Sequence, residues 1–483
     1  MPPDHSNDSC VMARRLAERL GARLVETHIS WVLLGEREAY KLKKPLRMPF
    51  LDYGTPEARR HCCAEEVRIN ARLAPGLYLG VVSVHGSPQD PRIGGDGPVI
   101  DWAVRMRRFD DDALFGERLA RQQLAPEEVD TMADLLAGFH EEAAVADPAL
   151  GLGTGKRRRA TALAALQGAS AALQPVDQNA LQAWLQRESQ RLNPCWAARL
   201  KAGRIRECHG DLHLDNLIWL NGGPAAFDGI EFDPALRWID VADDIAFPVM
   251  DLAARGRSDL AWRLLNRWLD HTGDHGALGV LRLAAVYRAL VRAQVALLRA
   301  DSAAATGYAR AAGEWMQSDA PRLTVMHGLP GSGKTHVSQR LLEQHGAIRL
   351  RADVERKRLF GIGMLDNSRD AGVDIYTAGA GRRTYARLLS RAAFTLRAGY
   401  PVILDAAHLH RHQRDAAHAL AKRLGAGFTI ASCEAPMDVL RQRVRERRGD
   451  ASEADLAVLE MLAGAGQPLG KAEQPFVERY PAA

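Results

Sequence analysis

Two short stretches of the chain gather residue types suited to handling a phosphoryl group. The first is Gly328-Leu-Pro330-Gly331-Ser332-Gly333-Lys334-Thr335, which fits G-x-x-x-x-G-K-[ST]. Its glycines let backbone N–H groups converge on phosphate oxygens, and a helix starting there adds the partial positive charge of its N-terminus. In that chemistry Lys334 reaches the β- and γ-phosphates and Thr335 ligates Mg²⁺. The second stretch is His209-Gly-Asp211-Leu-His213-Leu-Asp215-Asn216. Asp211 and Asn216 are five apart, the spacing of the catalytic loop H-R-D-x-x-x-x-N. One loop then serves both ends of a transfer: Asp211 accepts a hydroxyl proton, and Asn216 binds metal on the phosphate side.

Each stretch has supporting residues. Asp228 follows Asn216 by twelve positions in Ala-Phe227-Asp228-Gly229, which resembles a D-F-G metal ligand in reversed flanking order. Asp405 ends the apolar run Val402–Leu404, where a second acidic group near magnesium is expected. Asp353, in Arg351-Ala-Asp353-Val-Glu-Arg356, sits just past a strand and suits proton acceptance; Arg356 suits an anionic group on the acceptor. The run Arg441 to Arg448 holds five arginines in eight residues, readable as a solvated helix face or as a lid over the transferring group.

These residues need elements to hold them. Arg23–Glu26, Trp31–Leu34 and Ala39–Leu42 read as strands, Pro56–Leu73 as a helix with Thr55 as N-cap, and Leu77–Val84 and Val99–Met106 as further strands. From Pro126 to Met316 the pattern is mainly helical, with a short β-like insert around 204–232. This predicts an α+β bilobal domain over 1–316, with a β-rich lobe at about 20–106 and a larger helical lobe at about 107–316. Residues 317–321 read as a linker. Over 322–483 apolar strands at Leu323–His327, Ala347–Leu350, Val402–Leu404 and Phe428–Ser432 alternate with helices, which predicts an α/β domain with a parallel sheet.

The chain has 483 residues, more than one ordinary core. With 64 Lys+Arg against 59 Asp+Glu, the net charge of +5 is too small to argue for nucleic acid by itself. None of the six cysteines forms a C-x-x-C pair, and no zinc spacing occurs. There is no secretory h-region near the start and no uncharged apolar window long enough for a membrane helix, so a cytoplasmic protein is expected. His408, His410 and His412 read as a polar loop, and the dispersed tryptophans as core.

The HGDLHxDN form with Asp228 resembles the aminoglycoside phosphotransferases and their relatives, including choline and fructosamine kinases, over about 23–300. The resemblance implies that Lys41 or Lys43 pairs with the α/β-phosphates, Lys43 preferred because it ends the strand. It implies Glu66 as the ion-pair partner, Trp102–Met106 as the hinge beside adenine, with Met106 in the nucleotide site, and Asp244 as a brace for the loop. The chain departs from protein kinases in having Thr27-His-Ile-Ser30 where a glycine-rich loop would stand. The second half resembles the P-loop (Walker A) kinase group of polynucleotide 5′-kinases and gluconate kinase, over about 322–465. That resemblance implies Asp353 as general base, Arg356 and Arg414 as substrate contacts, and Arg445 as a lid arginine. The combined expectation is a bifunctional kinase using ATP and Mg²⁺ on small-molecule hydroxyl acceptors. Two alternatives stand beside it: 5′-hydroxyl kinase activity on nucleic acid in the second domain, and a nucleotide-binding regulatory protein. The motifs name neither acceptor, and they carry no oligomeric state.

Overall fold

Side chains alternate along the strand Glu38–Lys43, and this alternation organises the first unit. Leu42 faces a core with Trp31, Leu33, Val84 and Ala103, which Met12 and Leu16 of the helix His5–Leu20 close. Ala39, Lys41 and Lys43 face the other way, toward the helix Pro56–Asn70. That helix begins where expected: the Thr55 side chain accepts from the Ala58 N–H, and Pro56 occupies the first turn, where its missing N–H costs nothing. The antiparallel sheet runs in the order Arg23–Glu26, Ser30–Leu34, Glu38–Lys43, Val99–Arg107, Tyr78–Ser87, Asp90–Ile93.

This computed structural model describes residues 5–48, 51–318, 320–368, 370, 372–446 and 452–481. By packing, one unit comprises Met1–Thr161 with Asn193–Pro248, and the other Ala162–Leu192 with Val249–Ala483. The helices Ser258–Thr272, Leu278–Leu298 and Ser302–Met316 therefore pack with the P-loop part. In the first unit the strand Ile205–Glu207 pairs with Trp238–Asp240, and Leu217–Leu220 with Gly223–Ala226. The loop 209–216 is strung between these two small ladders.

The second unit is built on five parallel strands in the order Ile348–Arg351, Val402–Asp405, Arg322–His327, Gly427–Glu434, Val477–Pro481. The strand entering the phosphate loop sits in the middle, and its interior residues Leu323 to Met326 are buried, as a sheet covered on both faces requires. The helix Lys334–His345 follows the loop at once. The two-domain architecture, with a β-rich lobe first and a parallel sheet second, is the one the sequence indicates; that the first sheet is antiparallel is added by the structure. The elements outside that reading include the helix His5–Leu20 and the strands Asp90–Ile93 and Val477–Pro481. The latter strand is paired on one side only and carries Glu478 and Arg479, so it lacks a buried-strand signature. Among the described residues no helix is long and apolar enough to cross a membrane.

Candidate active sites

In the first unit the HGDLHLDN loop is pinned from below. Both Asp244 carboxylate oxygens accept backbone N–H groups, from His209 at 3.1 Å and Gly210 at 2.9 Å, and His140 Nε2 lies 3.1 Å from Asp244. His209 is buried, and its ring Nε2 lies 3.0 Å from the Phe227 carbonyl. Burial holds the His209 pKa below its ordinary value, which favours the neutral ring. The loop's two candidate site residues meet: Asn216 Nδ2 donates to the Asp211 carbonyl at 2.9 Å and to its carboxylate at 3.2 Å. The Asn216 carbonyl in turn accepts from Phe227 N–H at 3.0 Å, so Asp228 begins one residue from the loop. Asp228 adopts φ of 62°, and its N–H donates to the Tyr78 hydroxyl at 3.1 Å. Asn70 holds the next residue by accepting from Gly229 N–H at 2.7 Å.

Lys41 and Lys43 share Glu66, with Nζ–Oε distances of 2.9 and 2.7 Å. Their other partners separate them. Lys41 also pairs with Asp228, whereas Lys43, fully buried, pairs with Glu231 beside the Tyr53 hydroxyl. The preference for Lys43 is therefore corrected. The strand end lies under the site, one repeat away from Asp228, and Lys41 is the lysine that reaches the metal-ligand candidate. Burial works against both ammonium groups. Asp228 and Glu66 around Lys41, and Glu231 and Glu66 around Lys43, outweigh it and hold both pKa values well above the lysine range. For Glu66 burial acts upward, but the two lysines prevail and its pKa is lowered. Met106 is buried in a cluster with Ala39, Cys63 and Tyr78, against which Phe227 and Phe109 pack. Ser30 is buried in the sheet, opposite Lys43 in register. Glu231 escapes motif reasoning; its only signal is a second acid three residues after Asp228.

In the second unit the phosphate loop opens on a cavity of 1060 Å³. Gly328, Gly331 and Gly333 have φ of 143°, 83° and 88°. At Gly328 a Cβ would stand 2.3 Å from the Cys433 carbonyl, so only glycine passes there. Lys334 Nζ donates to the Leu329 carbonyl at 2.8 Å, folded back over its own loop. Among the described residues Ser332 Oγ is buried with no hydrogen-bond partner. A cradle of N–H groups with an unanswered hydroxyl fits an anion. Asp405 ends its strand, buried, accepting from Ser338 Oγ at 3.0 Å, and lines the cavity with Thr335. An oxygen donor set of this kind fits magnesium.

Asp353 and Arg356 face the same cavity, with Arg356 Nη1 donating to Asp353 at 2.6 Å and its guanidinium 4.9 Å from the Tyr376 ring. Asp353 is the second residue of the helix Ala352–Leu359, whose N-cap is Arg351, so it is not the cap itself. Arg414 is corrected: it is buried and its donors go to Glu473 at 2.6 and 3.1 Å and to the His408 and Leu409 carbonyls at 2.9 and 3.0 Å. It ties the C-terminal segment down and does not line the cavity. Arg445 is corrected too. Leu440 and Val444 bury one side of the helix Met437–Glu446 against Leu459, which leaves Arg445 exposed and aims Arg443 at the site. Arg443 Nη1 donates to the Gly331 carbonyl at 3.4 Å and lines the cavity. Arg447 and Arg448 lie outside the described residues. His408, expected in a polar loop, is buried, with Nδ1 2.9 Å from the Met326 carbonyl; burial pulls its pKa down to about 4.

Fold and sites together define a kinase-type phosphotransferase with two such domains in one chain. Residues 63–244 match the family described as phosphotransferase enzyme family, and residues 323–468 match an AAA domain family. Over its full architecture the chain is similar to an uncharacterized protein of Mycobacterium tuberculosis, 29% identical over 471 residues, covering 95% of this chain and 93% of the relative. A Mycobacterium bovis protein matches to the same extent. Among solved structures, a choline/ethanolamine kinase family protein from Mesorhizobium loti aligns with 64% of this chain and 95% of its own, at TM-score 0.38 and 11% identity. A sugar kinase from Janibacter sp. HTCC2649 aligns with 34% of this chain and 86% of its own, at TM-score 0.26 and 18% identity.

Proposed function

We propose that the chain is a bifunctional ATP-dependent phosphotransferase in which each domain moves a γ-phosphoryl group to a small-molecule hydroxyl. In the first domain Asp211 takes the hydroxyl proton, and the Asn216 amide orients its carboxylate. Lys41 steadies the α/β-phosphates and Glu66 fixes Lys41. Lys43 and Glu231 support that arrangement from beneath. In the second domain the Gly328–Thr335 backbone and Lys334 hold the triphosphate, Arg443 approaches it from the lid helix, and Asp353 takes the acceptor proton. Asn216 and Asp228 in one site, and Thr335 and Asp405 in the other, are the groups suited to Mg²⁺. Bound there, magnesium would neutralise phosphate charge.

The observation that carries this reading is the junction of Asn216 with both Asp211 and the Phe227-Asp228 step, with Lys41 bridging Asp228 to Glu66. The test is label transfer from ATP into a metabolite extract and, as a separate arm, into an oligonucleotide with a 5′-hydroxyl end. Asp211→Ala and Lys334→Ala are each expected to erase a different labelled product. Two variants that retain every product would refute the reading. Label in the oligonucleotide alone would move the second domain to nucleic-acid ends. Tight ATP binding without any product would make the chain a nucleotide-dependent regulator.

A further inference from the structure

We propose that the helix Ser258–Thr272, encoded ahead of the phosphate loop, positions the acceptor side of the P-loop site, with Asn266 standing in for an absent edge strand. Among the described residues the strand Ile348–Arg351 is at the outer edge of its sheet and pairs with one strand, Val402–Asp405. On its open side Asn266 Nδ2 donates to the Ala347 carbonyl at 2.9 Å, and Asn266 Oδ1 accepts from the Arg349 N–H at 2.7 Å. One carboxamide thus offers the donor and acceptor that a neighbouring strand would present. Its remaining N–H goes to the Trp262 carbonyl at 2.8 Å, so both N–H donors of this buried amide are satisfied.

The same helix holds what lies on either side of that strand. Arg358 Nη2, on the helix that carries Asp353 and Arg356, donates to the Asp270 carbonyl at 2.7 Å. Gly273 caps the positioning helix at φ of 64°, and a Cβ there would stand 2.5 Å from Arg358 Nε. Toward the phosphate loop, Arg263 pairs with Glu343 at 3.2 Å. Trp262 covers Gly346, the C-cap of the helix that starts at Lys334, where a Cβ would come within 2.8 Å of Trp262 Nε1. One element therefore grips the far end of the phosphate-binding helix, the strand edge, and the helix bearing Asp353. It sets the spacing between the cradle and the acceptor base. Asn266 is a positioning residue, and its importance for turnover rests on the reading of Asp353 as base.

The experiment is hydrogen exchange on the full-length chain, paired with the Lys334-dependent part of its ATP hydrolysis, obtained by subtracting the rate of the Lys334→Ala chain. In Asn266→Ala, protection of amides 349–354 is expected to fall about tenfold or more, while amides 335–345 change less than about twofold. Lys334-dependent hydrolysis is expected to fall in kcat with KM for ATP unchanged. Unaltered exchange at 349–354, or equal loosening of 335–345, overturns the proposal. Should Asn266→Ala fail to fold, Arg358→Ala replaces it, with increased exchange expected in 352–359; unaltered exchange there, or equal loosening of 335–345, overturns the proposal. Exchange that rises locally while Asp353→Asn hydrolyses ATP like wild type would uphold the positioning and fell the assignment of Asp353.

Discussion

The two sites assemble the same kind of charge by opposite means. The first draws on side chains already paired in the interior: Lys41 and Lys43 bracket Glu66, with Asp228 and Glu231 at the outer ends. The second draws on backbone, a glycine loop at a helix N-terminus, with one lysine that donates to a carbonyl of its own loop. Side-chain networks couple the site to the stability of the fold, because each buried charge depends on the next. A backbone cradle separates the two, since its donors belong to a helix that is folded whether or not a ligand is present.

The sharpest way to break this contrast is Lys43→Ala. It leaves Glu231 buried without its cation, and Glu66 with Lys41 alone, and should cost about 3–5 kcal/mol of first-unit stability, read by chemical denaturation. A loss below about 1 kcal/mol would mean the network is not structural. Next comes Lys334→Ala, which should lower second-site turnover on the order of 10²–10³-fold while its melting temperature stays within about 2 °C of the parent. A third effect, smaller still, separates Arg443 from Arg445 on the helix Met437–Glu446. Arg443→Ala should reduce second-site turnover about tenfold, as for loss of one charge-assisted hydrogen bond, whereas Arg445→Ala stays within about twofold. Equal losses would show that the helix turns during turnover.

The last comparison is the pH dependence of stability. Burial lowers the pKa of His408 and His275 to about 4, from an ordinary 6.5, and at His275 it outweighs the opposing pull of Glu355. The unfolded chain thus binds these protons first. Second-unit stability is complete above pH 6.5 and falls as pH drops toward 4, by at most about 1.4 kcal/mol per pH unit for each histidine. His408→Asn should flatten part of that slope in melting experiments. An unchanged slope would place the acid sensitivity elsewhere.

Much of this was readable because the motifs coincide with breaks in periodicity. The loop 328–335 separates an apolar strand from a helix, and Asp211 and Asn216 lie between two short β pairings. What escaped is what depends on three-dimensional neighbours. Alternation places Lys41 and Lys43 on one face, but only packing reveals that Asp228 lies over the first and Glu231 over the second. Arg414 has the charge of an anion contact; its burial against Glu473 is set by a segment 59 residues later. Likewise the arginine run gives no helical phase until Leu440 and Val444 are seen to be the buried side. The positioning helix Ser258–Thr272 has an ordinary amphipathic sequence, and nothing in it names the strand it covers.

Asp228 combines two demands that few residues meet. Its backbone lies in the left-handed region, at φ of 62°, which glycine, asparagine and aspartate tolerate best. Its carboxylate meets Lys41. Glycine would satisfy the turn without a ligand, asparagine would satisfy it without a charge, and glutamate would keep the charge while resisting the turn. The position is thereby closed to gradual change. Any lineage that gives up this aspartate loses the carboxylate proposed to hold magnesium in a single step, while the turn itself can survive.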